Sequence, residues 1–391
     1  MPPKKSILFV INNLNVGGVE KSLLSLLRVL PPDRFDIHLG VINATGGLLD
    51  QIPSYVKLFE IPELRDNISK VRGKFGALMS ALKEKRFADF FRIPFLYLVS
   101  KFSRTLLPLY SYYIPPSSYS LPTYDIAVSF QGPSELLDYY VAKVVRTKRK
   151  FGWIHFDIDK FFIRRRTTLL CYSEFERIMV VSENGRKAFC KRFPSLADRC
   201  EVMLNIIDKP DLHRLASEPV NLSCEDPAVI NIVTVGRLAK IKGQELAIRA
   251  ARILKDRNIP FHWYFIGDGD MKSNLLSLVA RLGLLDEITF TGSLSNPYPY
   301  MAACDVYVQP SVSEGYGIAL GESLVFGVPI VATDFIGARE QLSAIPNSII
   351  IPHRSPLLLA DAIIKVSALG PVSTTSDGNP PQLSRLLTLF S

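Results

Sequence analysis

The chain has 391 residues, of which 48% are hydrophobic, so it is too long for one hydrophobic core and long enough to build two. Its formal net charge of +9 is divided unevenly, with +13 in residues 1–200 and −4 in residues 201–391. This asymmetry predicts an anionic partner, such as a membrane surface, for the first half only. No RNA- or DNA-binding motif accompanies the basic runs at 148–150 and 164–166, so we expect no nucleic acid partner.

Two further features limit where the protein works. No apolar run reaches the roughly 18 residues that a membrane-spanning helix needs, and the run at residues 7–11 is too short for a signal peptide. The cysteines are scattered and form no C-x-x-C motif: Cys171, Cys190, Cys200, Cys224 and Cys304. This pattern favours buried thiols in a reducing cytoplasm over a disulfide framework or a zinc site.

The first predicted elements are a strand at residues 7–11 and a helix that begins after a glycine-containing turn. The turn contains Gly17 and Gly18, and Glu20 follows it. Because the turn is not G-x-G-x-x-G, it argues against a nicotinamide-binding fingerprint. A flexible strand-to-helix turn without a ligand is the alternative.

Residues 83–113 mix cations with aromatic and leucine side chains. The mixture predicts helical segments, broken at Pro94 and Pro108, that lie in a membrane interface with their cations towards anionic headgroups. Ordinary core helices with solvated charges are an equally good interpretation. The cations of this stretch are Lys83, Lys85, Arg86, Arg92, Lys101 and Arg104.

Residues 151–154 predict a strand that ends at His155, and Asp157 and Asp159 follow it. Paired carboxylates of this kind can hold a divalent metal, because hard cations prefer oxygen ligands. His155 is either a ligand contact or a core histidine.

The second half begins with a buried strand at residues 232–235 that leads to Gly236, Arg237 and Lys242. Arg237 offers a planar fork for phosphate oxygens, and Lys242 offers a mobile point charge. Together they could neutralise a diphosphate without a metal. The alternative is a strand end with ordinary surface cations.

Two more strands are predicted at residues 263–266 and 288–290. The backbone after the second strand comprises Thr291, Gly292 and Ser293. Two prolines within residues 296–301 then predict a rigid loop.

The most specific motif spans residues 314–322, between predicted strands at 306–308 and 328–332. It consists of Glu314, Gly315, Tyr316, Gly317 and Ile318, which form a turn into a helix, and Glu322 in the second helical turn. A helix N-terminus suits a phosphate, and carboxylates accept hydrogen bonds from hydroxyls. The pair of glutamates therefore predicts a sugar on either side of a diphosphate. Without the surrounding motif, Glu314 and Glu322 would be interpreted as a charged residue in a loop and a charged residue on a helix surface.

Strand and helix patterns alternate from residue 7 to about residue 366, which predicts two doubly wound α/β domains. We expect a first domain over residues 1–207 and a second over 208–370. The tail at 371–391 is rich in Pro, Ser, Thr and Gly, so we expect mostly loop with at most a short helix at 383–390.

Together these motifs resemble the retaining glycosyltransferases of family 4, which carry an E-x7-E signature and include builders of bacterial surface polysaccharides. The resemblance covers about residues 5–366 and implies the GT-B fold, with two Rossmann-like domains facing each other across a cleft. Tyr316 stands where the family usually has Phe. The long C-terminal return helix of the family is short here, which implies looser domain closure or a truncated chain.

The resemblance also implies residue roles. Glu314 and His155 face the donor sugar, Glu322 binds the ribose, and Arg237 and Lys242 bind the leaving diphosphate. The remaining donor-binding residues that it implies are Gly17, Gly18, Gly236, Thr291, Gly292, Ser293, Gly315, Tyr316, Gly317 and Ile318. Among these, Gly17 and Gly18 approach the diphosphate from the first domain, and the segment from Thr291 lies beside the base.

By this resemblance, the protein is a retaining, hexosyltransferase-type enzyme on the cytoplasmic face of the membrane. It transfers a sugar from a nucleotide diphosphate donor to a lipid-linked or polysaccharide acceptor, in capsule or lipopolysaccharide synthesis. The nucleotide leaves from the front face without a dedicated protein nucleophile. We expect no metal and no other cofactor, although Asp157 and Asp159 would be metal ligands in an enzyme of the GT-A fold.

Two other functions fit the same motifs. One is a nucleotide-sugar epimerase of similar architecture, and the other is a non-catalytic partner that binds sugar nucleotides. Acceptor-dependent product formation separates the transferase from both.

Overall fold

The structure is a computed structural model that describes residues 3–72, 89–115, 122–156, 158, 163–220, 222, 226, 228–373 and 381–391. The chain divides into two compact units. The first unit comprises Met1–Asn15, Val19–Leu204 and Leu386–Ser391, and the second comprises Val16–Gly18 and Asn205–Arg385. The division therefore falls after Leu204, and short pieces from each end of the chain join the unit that is distant in sequence.

The first unit is built on a seven-stranded parallel sheet in the order β3-β2-β1-β4-β5-β6-β7. Its strands are β1 (Lys5–Ile11), β2 (Phe35–Val41), β3 (Lys57–Glu60), β4 (Tyr124–Gly132), β5 (Thr147–Ile154), β6 (Arg177–Val180) and β7 (Cys200–Val202). Residues 7–11 of β1 are all fully buried. A continuous apolar run of this kind is what a parallel strand needs when helices cover both faces of the sheet.

The helices of the first unit include two that matter for function, α3 (Asp89–Ser103) and α6 (Arg165–Tyr172). The others are α1 (Gly18–Val29), α2 (Pro62–Arg72), α4 (Leu107–Tyr113), α5 (Glu135–Tyr139) and α7 (Glu183–Arg192). Shorter turns are the 3-10 helices Leu49–Gln51 and Pro194–Arg199 and the π-helix Tyr140–Val144.

The prediction that Pro94 breaks its helix is wrong, because α3 continues through it. A proline removes only one backbone donor, and burial of Ile93 and Ser100 holds the helix on either side of it. Pro108 lies in the first turn of α4, where a missing N–H costs nothing. The predicted cations Lys83, Lys85 and Arg86 lie outside the described residues.

The second unit is built on a six-stranded parallel sheet in the order β10-β9-β8-β11-β12-β13. Its strands are β8 (Ile230–Val235), β9 (Phe261–Ile266), β10 (Ile288–Gly292), β11 (Val306–Gln309), β12 (Ile330–Thr333) and β13 (Ser348–Ile351). The strand order reverses between β8 and β11. Ligands of doubly wound sheets bind beyond the carboxyl ends of the strands at such a switch point.

The helices of the second unit are α8 (Lys209–Ala216), α9 (Gln244–Asp256), α10 (Lys272–Arg281), α11 (Tyr298–Ala303), α12 (Ile318–Leu324), α13 (Ile336–Leu342) and α14 (Pro356–Ser367), with a 3-10 turn at Lys240–Lys242. The rigid loop predicted at residues 296–301 is largely helix α11. Pro297 caps this helix and Pro299 lies in its first turn, where proline favours helix initiation. The prediction of two doubly wound α/β units is confirmed.

The chain ends in helix α15 (Pro381–Phe390), as expected for a short helix near residues 383–390. Its last residues belong to the first unit, where the fully buried ring of Phe390 packs against the rings of Phe9, Phe35 and Phe151 at 5.5 to 6.5 Å. No helix in the described ranges is both long enough and apolar enough to cross a bilayer. The four described cysteines are free thiols, and Cys224 lies outside the description.

Candidate active site

The carboxyl end of β11 carries a hydrogen-bonded network that holds Glu314. Gln309 is the last residue of β11 and accepts a hydrogen bond from the Tyr307 hydroxyl at 2.6 Å. The Gln309 amide and the Ser311 hydroxyl both donate to Oε1 of Glu314, at 3.0 and 2.8 Å. Because Gln309 and Ser311 are buried, the strand end fixes the position of this carboxylate.

Lys242 completes this network. Its Nζ lies 2.7 Å from Oε1 of Glu314, and the two side chains are 24% and 11% exposed. All three donors thus reach one carboxylate oxygen, while no described donor reaches Oε2. The ion pair therefore connects two residues for which the resemblance implies different partners in the donor, namely the sugar for Glu314 and the diphosphate for Lys242. An ammonium group has three donors, so Lys242 can hold Glu314 and still contact a phosphate.

Glu322 has a different environment. It is the fifth residue of α12, only 3% exposed, and its Oε1 accepts a hydrogen bond of 2.8 Å from the Tyr298 hydroxyl of α11. Burial, followed by the negative charges of Glu322 and Glu314, raises the pKa of Tyr307 well above its usual value. The charges of both glutamates therefore act on one buried phenol.

The turn before α12 requires glycine at position 317. Gly317 adopts φ 84° and ψ 67°, in the left-handed region, and a Cβ there would lie 2.9 Å from the Phe335 ring. It caps α12 without a side-chain hydrogen bond, so the first N–H groups of the helix lack a side-chain cap. Tyr316 is 9% exposed, and burial raises its pKa to about 12.

The carboxyl end of β8 carries the predicted cation pair. The Arg237 side chain is exposed and forms no ion pair with a carboxylate in the described part of the chain. Gly236 lies beside Gly267, where a Cβ would come within 2.1 Å of the Gly236 carbonyl oxygen. Only glycine at 267 permits this close approach, which brings the ends of β8 and β9 together next to the backbone of Arg237.

Other predicted donor-binding residues lie at the end of β10 and in the turn that leads into α1. Thr291 and Gly292 end β10, and the exposed Ser293 follows them. Gly17 and Gly18 join the second unit with Val16. A Cβ on Gly18 would lie 3.4 Å from Cδ1 of Ile318, so this turn lies against the first residue of α12.

His155 belongs to the first unit, directly after β5. It is 6% exposed, and neither ring nitrogen has a hydrogen-bond partner among the described residues. Burial lowers the pKa of His155 to about 3, so its imidazole is neutral at physiological pH. A neutral imidazole can donate or accept a hydrogen bond to a sugar hydroxyl, but it cannot supply positive charge.

The metal alternative rested on Asp157 and Asp159, which lie outside the described residues. Elsewhere in the description, no three His, Cys, Asp or Glu side chains are grouped as metal ligands. The basis for expecting no metal remains the presence of Arg237 and Lys242.

Sequence reasoning missed the residues that position the two glutamates, namely Tyr298, Tyr307, Gln309 and Ser311. One local signal was available for two of them, because Gln309 is the last residue of the apolar strand β11 and Ser311 follows it closely, so that polar residues mark this strand end. Tyr298 carried no such signal, since its contact with Glu322 joins positions 24 residues apart.

Comparison with known proteins identifies relatives of both units. Residues 225–374 match the family "Glycosyl transferases group 1". N-acetylgalactosamine-N,N'-diacetylbacillosaminyl-diphospho-undecaprenol 4-alpha-N-acetylgalactosaminyltransferase of Campylobacter jejuni is 29% identical over 337 residues, which are 84% of this chain and 81% of the relative. The putative colanic acid biosynthesis glycosyltransferase WcaL of Escherichia coli is 30% identical over 168 residues, 41% of this chain and 40% of the relative.

A solved structure extends the likeness to the fold. HepE of Anabaena in complex with UDP-glucose superposes with a TM-score of 0.64 at 19% identity, over 92% of this chain and 89% of that chain. Both units of the present chain are parallel-sheet α/β units, as in GT-B glycosyltransferases. The chain therefore has the GT-B fold of glycosyltransferases, and residues 225–374 of its second unit are similar to the group 1 glycosyl transferases.

Proposed function

We propose that the protein transfers a sugar, with retention of anomeric configuration, from a nucleoside diphosphate sugar to a lipid-linked or polysaccharide acceptor of the cell surface. The observation that carries this proposal is the ion pair of Lys242 with Glu314 beyond the carboxyl ends of β8 and β11, together with Glu322 on α12, whose charge acts on the Tyr307 phenol as that of Glu314 does. The relative from C. jejuni, whose name specifies a diphospho-undecaprenol acceptor, supports the lipid-linked class. The binding of UDP-glucose by HepE supports the donor class.

The proposed mechanism assigns the charge of the leaving diphosphate to three groups. Arg237 presents an exposed guanidinium, Lys242 an ammonium, and α12 the N–H groups after Gly317. Such preorganised donors stabilise charge that develops in the transition state. Glu314 then contacts the donor sugar through Oε2, and Glu322 contacts the ribose. His155 as a neutral contact to the donor sugar remains a prediction.

We also propose that the protein binds peripherally to the cytoplasmic face of the membrane through its first unit. Four exposed apolar residues of α3 recur at intervals of four, three and four positions, which places them on one helix face. They are Phe91, Phe95, Leu98 and Phe102, with exposures of 85%, 62%, 51% and 78%. Arg92 and Lys101 of the same helix are also exposed. This combination favours an interfacial helix on an anionic surface.

The test is acceptor-dependent transfer. Nucleotide sugars are first screened by thermal shift, and the best donor is then incubated with a polyprenyl-diphosphate-linked glycan acceptor. We expect product only when acceptor is present, with the donor's anomeric configuration retained in NMR spectra. Conversion of the donor without acceptor would instead identify an epimerase, and binding without either reaction would identify a non-catalytic partner.

The same assay tests the absence of a metal requirement. We expect full turnover in excess EDTA, because Arg237 and Lys242 supply the positive charge. Loss of turnover that Mn²⁺ or Mg²⁺ restores would contradict this and identify Asp157 and Asp159 as candidate ligands.

A further inference from the structure

A large cavity lies within the first unit, between α3 and the beginning of α6. Its volume is about 1270 Å³, which exceeds the range of roughly 300–1,000 Å³ that is usual for small-molecule sites. Its apolar lining includes Ile93, Leu98, Leu106, Ile163 and Leu169. A site of this size and lining suits a long apolar ligand.

The same cavity is strongly cationic. Among its described lining residues are five cations and no carboxylate: Lys101, Arg104, Arg164, Arg165 and Arg166. Arg164 is paired with Glu135, at 2.8 Å between Nη1 and Oε2. The other four form no ion pair with any carboxylate that the structure describes. Uncompensated positive charge beside an apolar lining favours a ligand that combines an anionic group with an apolar chain.

The position of the arginines strengthens the case for an anion. Arg165 and Arg166 form the start of α6, whose first turn contains no acidic residue. The N-terminus of a helix carries the positive end of the helix dipole, so cations there are unfavourable in the absence of an anion. A bound diphosphate reverses this effect, because it interacts favourably with the guanidinium groups and with the helix dipole.

Two buried hydroxyl groups at the cavity have no hydrogen-bond partner among the residues that the structure describes. Ser100 is 6% exposed and lines the cavity, and its Oγ has no hydrogen-bond partner in the described ranges. The hydroxyl of Tyr97, which also lines the cavity, likewise has none there. A buried hydroxyl without a partner is unfavourable, and an oxygen of a bound ligand satisfies it.

The cavity is continuous with the exposed apolar face of α3. Leu98 belongs to that face and also lines the cavity. Lys101 lies three positions further along α3, so that apolar and cationic groups meet at one side of the helix. An apolar chain that leaves a membrane along this face therefore enters the cavity beside its cations.

We propose that this cavity binds the diphosphate and the first isoprene units of a polyprenyl-diphosphate-linked acceptor. The inference rests on the proposed function, and it adds an acceptor-lipid site that is separate from the nucleotide site of the second unit. The arginines of α6 and Lys101 hold the diphosphate, and the apolar lining from Leu98 to Leu169 holds the chain. Glycan specificity is left to other parts of the enzyme, since this site contacts only the lipid end.

The test uses the full-length protein with saturating UDP, so that the nucleotide site does not bind the probe. Calorimetry compares geranylgeranyl diphosphate with inorganic pyrophosphate and with geranylgeraniol. We expect the complete probe to bind at least tenfold more tightly than either part. Arg165→Ser/Arg166→Ser should weaken binding of the probe at least tenfold, while the binding of UDP itself is unchanged.

Two further variants test whether the loss of binding is specific to the cations of the cavity, and whether its apolar lining contributes to binding. Lys187→Ser/Lys191→Ser removes the same charge from exposed positions of α7 and should bind the probe as the parent does. Leu169→Trp fills the apolar part of the cavity, so it should weaken binding of the complete probe but leave binding of pyrophosphate unchanged. Unaltered melting temperatures confirm that the variants are folded.

Three outcomes would overturn the inference. The arginine variant could bind the probe like the parent, pyrophosphate could bind as tightly as the complete probe, or phosphatidylglycerol vesicles could displace the probe by occupying the same cations. Failure of the probe to bind, with UDP binding and transfer to a water-soluble acceptor intact, would reject this site but leave the proposed function standing. Failure of both UDP and nucleotide sugars to bind would reject the proposed function itself.

Discussion

Glu314 and Glu322 have distinct surroundings, and these predict distinct effects of substitution. Glu314 receives three donors on one oxygen and has its second oxygen available. Glu322 is almost fully buried beside the Tyr298 hydroxyl. Removing Glu322 therefore also removes the partner of a buried phenol, at a cost of about 1–3 kcal/mol in stability. A Gln at 322 retains an acceptor for that phenol.

We predict that Glu322→Ala weakens the binding of the free nucleoside diphosphate and of the sugar nucleotide alike, because the ribose is common to both. Glu314→Ala should leave the affinity for the free nucleoside diphosphate nearly intact and lower turnover, because the sugar is present only in the donor. Loss of a hydrogen bond to a charged group costs about 1.5–3 kcal/mol, or roughly ten- to hundredfold in affinity. Calorimetry with the nucleoside diphosphate of the donor found by thermal shift and steady-state kinetics measure the two effects.

Two controls accompany this comparison. Glu245→Ala removes an exposed carboxylate of α9 that pairs with Arg249, and it should change neither UDP binding nor turnover. Glu322→Gln separates loss of charge from loss of the Tyr298 contact. If Glu314→Ala and Glu322→Ala both bind UDP and turn over like the parent, the glutamates are only structural charges.

At the scale of elements, α3 carries two adjoining surfaces. Its exposed face is apolar, and its neighbouring face lines the cationic cavity. The two surfaces make separable predictions, because Phe91 and Phe102 lie on the exposed face and do not line the cavity.

We predict that Phe91→Ser/Phe102→Ser lowers binding to anionic vesicles at least tenfold. Burying one such side chain contributes about 1.5–3 kcal/mol, so two exposed phenylalanines account for a loss of this size. Co-sedimentation with vesicles of defined composition measures it. Binding of the parent should also weaken with salt, since charges are screened beyond about 8 Å at physiological ionic strength.

The control is Leu285→Ser/Leu369→Ser, which removes two exposed apolar residues of the second unit. It should bind vesicles as the parent does. Equal binding of the parent to neutral and anionic vesicles would reject the electrostatic part of the proposal, and normal binding by the phenylalanine variant would reject the role of α3.

At the scale of the whole molecule, the end of the chain contributes to the core of the first unit. The ring of Phe390 is fully buried among Phe9, Phe35 and Phe151, which lie on three strands of the first sheet. Lys5 also donates a hydrogen bond to the Ser391 carbonyl. The first unit therefore depends on residues that are nearly the whole chain away in sequence.

We predict that Phe390→Ala destabilises the first unit by about 3–5 kcal/mol, the usual cost of deleting a buried aromatic ring. The chain has two tryptophans, Trp153 in the first unit and Trp263 in the second. Fluorescence in a Trp263→Phe background therefore reports denaturant unfolding of the first unit alone. The partly exposed Leu389 provides a control, since Leu389→Ala should cost clearly less. An unchanged midpoint for Phe390→Ala would contradict the observed packing.

The sequence by itself determined the elements whose signals are local. Parallel strands that are buried on both faces appear as uninterrupted apolar runs, so both doubly wound sheets could be predicted. The motif from Glu314 to Glu322 could be recognised from the sequence because a glycine turn, a helix start and two carboxylates lie within nine residues. Two local predictions were wrong, at Pro94 and at residues 296–301, because helices accommodate proline when packing or an initiation position permits it.

Only the tertiary structure decided which distant groups meet. Lys242 reaches Glu314 across 72 positions, and Tyr298 reaches Glu322 across 24, because strand order and helix packing bring these segments together. The cavity of α3 and α6 likewise depends on how two helices pack, and the burial of Phe390 depends on the return of the chain to the first sheet. Periodicity reports which face of one element is apolar, whereas a contact between elements depends on the arrangement of both.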